Sequence, residues 1–90
     1  MKNILLILSI LLGALTAQSQ VGIGTSSPDS KAVLDLTSTT KGFLVPRMTA
    51  TQKGNISSPA TGLLIYQTTG TAGFYYYTGS AWILILVPNY

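Results

Sequence analysis

The sequence predicts a mainly β protein: short strands forming an antiparallel meander, after an N-terminal signal peptide. Three observations carry that expectation. Two short apolar runs, residues 43–45 and 63–66, are each opened by a glycine and separated by the polar connector 49–61, with Pro59 near its far end. Two further runs follow, 74–77 (FYYY) and 82–87 (WILILV), joined by the hairpin-like Thr78-Gly79-Ser80. Glycine, then β-branched and aromatic residues, then proline or a Thr/Gly cluster is the punctuation of short strands and tight turns.

The first stretch, residues 1–19, has the three parts of a secretory signal. Lys2 supplies the positive end, residues 4–15 an apolar run broken only by Ser9 and Gly13, and Ala17-Gln18-Ser19 the small residues of a cut before Gln20. That run is shorter than the roughly 18 to 20 residues a bilayer span requires. The expectation is therefore a protein secreted across the inner membrane, with no stable transmembrane span after cleavage. Its destinations are the periplasm, the outer membrane surface or the exterior. The chain has no cysteine, which excludes both a disulfide framework and a lipid anchor at the cleavage site.

Residues 20–40 read as an extended N-terminal arm with a short strand. Gly22-Ile23-Gly24 lacks the third glycine and the lysine of a phosphate-binding loop, so it is no nucleotide site. In 31–36 (KAVLDL), Val33 and Asp35 alternate with Ala32, Leu34 and Leu36, as a half-buried strand requires. A continuous strand would hold Asp29 and Asp35 about 20 Å apart, beyond the roughly 5 to 9.5 Å of a paired-carboxyl mechanism. Turn or solvated roles are expected for both.

Residues 41–90 read as the β-rich module proper. Pro46 removes a backbone donor, so the 43–45 strand is short, lies at an edge, or ends there. Thr49 is placed to cap a helix through Ile56, and Gly54 and Asn55 restrict it to a short or 3₁₀ element. The last three runs form the meander. Phe74 and Tyr76 face one way and Tyr75 and Tyr77 the other, while Trp82, Leu84 and Leu86 oppose Ile83, Ile85 and Val87. A surface strand shows one polar face; 82–87 is apolar on both. A chain of 90 residues has too little mass to cover both faces itself. Other copies, or another chain, are expected to bury it.

Composition excludes most chemistry. His, Cys and Glu are absent and only two Asp are present, which removes the usual general acid–base and metal-ligating groups. No enzyme activity, cofactor or metal is expected. Lys31, Lys41, Arg47 and Lys53 are scattered rather than clustered, so the net charge of +3 forms no nucleic-acid footprint.

The ordered segments VGIGTSSPD, KAVLDL, STTKGFLVPRMTATQ, ISSPATGLLIYQT and FYYYTGSAW resemble a module found in secreted proteins of Bacteroidetes-type bacteria, and are similar to repeats in phage tail-fibre proteins. The resemblance implies a β-rich unit intertwined as a homotrimer, with a structural role at or beyond the cell surface. In such proteins the module stands at the N-terminal end of a longer fibrous chain, so a truncated N-terminal fragment of a longer surface protein is one reading of this sequence. A carbohydrate- or surface-binding adhesin is another, motivated by the aromatic cluster. Phe43, Leu64, Phe74, Trp82, Leu84 and Leu86 are the candidate oligomer interface. Tyr75, Tyr77 and Trp82 are the candidate contacts to a surface glycan or partner surface protein.

Overall fold

The structure, a computed structural model, describes residues 19–88; the signal peptide expected at 1–19 lies almost wholly outside them. The chain divides between Gly42 and Phe43 into two compact units. Among the described residues it is mainly strand, with one short helix, and that helix is neither long nor apolar enough to cross a membrane.

The first unit contains β1 (Val21–Ile23) and β2 (Leu34–Leu36), paired in parallel as Val21↔Leu34, Gly22↔Asp35 and Ile23↔Leu36. The expected arm is thus a strand in its own right, and the expected 31–36 strand is halved. The reason is a turn at 29–32. The Ala32 amide donates to the Asp29 carbonyl at 3.0 Å, and the Lys31 amide donates to Asp29 Oδ1 at 2.8 Å, a side-chain-closed turn typical of Asp. Gln20 Nε2 clamps the same turn from outside, donating to the Asp29 and Ala32 carbonyls. The chain doubles back, so the Asp29 amide reaches Asp35 Oδ2 at 2.9 Å. The separation of about 20 Å expected for an unbroken strand does not occur, although both carboxylates do serve as turn acceptors.

The glycine pair in this unit is explained by crowding. A Cβ on Gly22 would sit 2.6 Å from Pro28 Cγ, and Gly24, at φ +82°, lies against the Thr37 carbonyl. Only glycine fits a backbone so closely approached, and only glycine takes that φ without strain.

The second unit is a four-stranded sheet in the order β3 (Arg47–Met48), β4 (Leu64–Gln67), β5 (Gly73–Tyr77), β6 (Trp82–Leu84). β4, β5 and β6 form the expected antiparallel meander. β3 pairs with β4 in parallel, and α1 (Ala50–Gly54) lies in the crossover that parallel pairing requires. The expected strand at 43–45 is displaced to 47–48. Pro46 has no N–H to offer, but its carbonyl accepts from the Tyr66 amide at 2.9 Å, and the ladder begins there. The 43–45 run contributes packing instead, through buried Val45.

Thr49 caps α1. Its side chain accepts from the Gln52 amide, and the Gln52 side chain accepts from the Thr49 amide. This reciprocal box holds the first turn, and the helix stops at Gly54 with Asn55 as its C-cap, short as those two residues require. The β5–β6 turn closes on itself, with the Thr78 amide donating to the Ala81 carbonyl and Thr78 Oγ1 accepting from the Ser80 and Ala81 amides. The regular part of the last strand ends at Leu84 rather than Val87, with one further bond from the Ile85 amide to the Phe74 carbonyl.

Candidate oligomerisation surface

The two faces of the four-stranded sheet have opposite fates, and the register decides which residue meets which. Directly paired residues share a face. Ile65, Tyr75 and Leu84 therefore line one side with Gln67, Tyr77 and Trp82. Leu64, Tyr66, Phe74, Tyr76 and Ile83 line the other, with Arg47 beside Tyr66.

The first face is packed. Ile65 is 2% exposed, and Gln67 and Tyr75 are also buried. Lys53 reaches down from α1 and sets its ammonium 3.8 Å from the centre of the Tyr75 ring and 5.7 Å from that of Trp82. Tyr77 and Trp82 meet edge to face at 5.3 Å, a favoured aromatic geometry. Polar groups converge on the 68–72 loop: Gln67 Nε2 donates to the Thr69 and Thr71 carbonyls, and the Tyr75 hydroxyl donates to the Thr71 carbonyl at 2.7 Å. Gln67 Oε1 has no partner among the described residues.

The second face is open and apolar. Leu64, Phe74, Tyr76 and Ile83 are all exposed, Phe74 to 46%, and Ile85 extends the same stripe. Tyr66 and Phe74 pack edge to face at 5.1 Å. Beside them Phe43, Leu44, Val45 and Arg47 complete a hollow of about 130 Å³, nearly all apolar in its lining. Such a hollow has room for a side chain offered by another molecule.

The predicted interface residues therefore divide. Phe43, Leu64 and Phe74 belong to the open side; Trp82 and Leu84 lie half-buried on the packed side; Leu86 is exposed beyond β6. The predicted ligand contacts Tyr75, Tyr77 and Trp82 do share a face, as their alternation requires. It is the packed one, where Lys53 already stands over Tyr75. Sequence reasoning passed over Tyr76 and Ile83, whose register opposite Leu64 and Tyr76 respectively adds them to the open stripe. Their signal was the alternation already read along β5 and β6, carried one step further to which face the helix would cover.

Residues 22–88 match the family described as the phage tail-like trimerisation region. The chain belongs to that family. This is a structural trimerisation region rather than a known enzyme family, and the chain is an oligomerisation module. Neither the curated proteins nor the solved structures offer a significant match. Among the described residues of this trimerisation region, no group of three or more acidic or other ligating side chains is placed to hold a metal.

Proposed function

We propose that the protein is a non-catalytic structural module that is secreted and assembles as an intertwined homotrimer in a fibre-like protein of the cell surface. The observation that carries this reading is the unequal treatment of the sheet: one face closed by α1, the other left as a stripe of Leu64, Tyr66, Phe74, Tyr76 and Ile83. An exposed apolar stripe flanked by a hollow and rimmed by a single charge, Arg47, marks an interaction site. The family's trimerisation role makes further copies of this chain its natural occupant. Passage across the inner membrane rests on the leader pattern of Lys2, the apolar run and Ala17-Gln18-Ser19.

The test is the solution mass of the protein purified from cells expressing the full chain, by light scattering after size exclusion. Mass spectrometry of the same sample reads its N-terminus. The expected result is three times the single-chain mass, with a start at Gln20. A well-folded monomer would sink the trimer reading, and an intact Met1 in envelope-free cytosol would sink the secretion reading.

A further inference from the structure

The first unit presents the same one-sided pattern as the sheet, on a smaller scale. In the parallel pair of β1 and β2, the register puts Val21, Ile23, Leu34 and Leu36 on one face and Gly22 and Asp35 on the other. The chain itself finishes the Gly22–Asp35 side. Pro28 lies against Gly22, the Asp29 amide donates to Asp35 Oδ2, and the Thr37 hydroxyl donates to Asp35 Oδ1. The four-residue apolar side is left between 41% and 60% exposed. Two strands of three residues are marginal alone; independent stability takes more strands or packing against a further element. The matched trimerisation region begins at Gly22, inside β1, and so takes in Ile23, Leu34 and Leu36 of this patch, with Val21 just ahead of it.

We propose that the patch of Val21, Ile23, Leu34 and Leu36 packs against the same patch of the other copies, so that the first unit acquires its fold only on assembly. The occupant is a second and third copy of this chain. Resting on the trimer reading above, the inference adds a second interface, at the N-terminal end, and makes order there a consequence of assembly. Apolar self-recognition suits the patch because its four side chains carry no charge to direct a different partner.

The test compares amide hydrogen exchange in the parent protein and in Phe74→Glu, which places a charge on the open face of the four-stranded sheet. In the parent trimer the Val21 and Thr37 amides, bonded to the Val33 and Ile23 carbonyls, are expected to be protected. In the dissociated variant their protection should fall by at least 100-fold, while the amides of Ile65 and Tyr75 stay protected and certify that the sheet is folded. Ile83→Glu serves the same purpose if Phe74→Glu does not fold. The second arm is Leu34→Asp, which should raise the concentration of half-dissociation at least tenfold. An exposed Leu with no partner would be close to neutral on such a change. Protection of Val21 and Thr37 that survives in the monomer, or a Leu34→Asp trimer as tight as the parent, overturns this inference and leaves the trimer reading intact. A monomeric parent overturns both.

Discussion

Phe74→Ala is the sharpest probe of which face assembles. A Phe side chain offers about 200 Å², and with 46% of Phe74 exposed in the single chain, about 90 Å² remain for a neighbour to cover. At about 25 cal/mol/Å² that is about 2.3 kcal/mol per subunit. Three subunits make it about 7 kcal/mol per trimer, or about 10⁵ in the trimer dissociation constant. The concentration of half-dissociation goes as the square root, so it should rise about 300-fold. Within the chain the same substitution uncovers the roughly half of the side chain already packed, about 2.5 kcal/mol by the same conversion, and removes the edge-to-face contact with Tyr66, about 0.5–1.5 kcal/mol more. Assembly and folding should therefore both weaken, and the two are read separately. Sedimentation equilibrium over a dilution series measures the first, and denaturant unfolding of the dissociated chain the second. A shift in half-dissociation below about threefold in a trimeric parent would refute the assignment of the open face as the interface.

Two further substitutions probe the packed face. Thr49→Ala removes the cap of α1 and should lower stability by about 1 kcal/mol, with Thr49→Ser close to the parent, both read from denaturation midpoints. Lys53→Met keeps the aliphatic stem but loses the ammonium above Tyr75; a cost of about 0.5–1 kcal/mol is expected, with a change in Trp82 fluorescence and no change in subunit number.

The β4–β5–β6 meander was legible because its signals are local: glycine before a run, an aromatic alternation, and a Thr-Gly-Ser turn. The division of Tyr75 and Tyr77 from Phe74 and Tyr76 came from the strand period alone. Which of the two faces would be covered did not. That depends on where a short crossover lies, and α1 owes its place to a Thr-x-x-Gln capping box at 49–52, with Gly54 and Asn55 ending it after five residues. The box is visible in the sequence to a reader who looks past helix propensity. The parallel pairs were hidden for another reason. β1 with β2 and β3 with β4 are joined by 10 or more residues, so no turn motif announces them, and Pro46 disguises its strand because it gives a carbonyl while withholding an amide. Asp29 and Asp35 were placed far apart by assuming an unbroken strand, when the Asx turn at Asp29 was the decisive local event.

The two loops of the meander differ in what holds them, and that sets where foreign sequence could be grafted. The 68–72 loop is shaped from within, because buried Gln67 and Tyr75 hold its Thr69 and Thr71 carbonyls; lengthening it would disturb the core that anchors it. The turn between β5 and β6 is closed by Thr78 with the Ser80 and Ala81 backbone, so an epitope spliced between Gly79 and Ser80 would disturb the turn's own bonds and leave those of the core untouched. In a threefold assembly each such splice is displayed three times at equivalent positions, which makes this small turn the natural handle for building multivalent scaffolds from the chain.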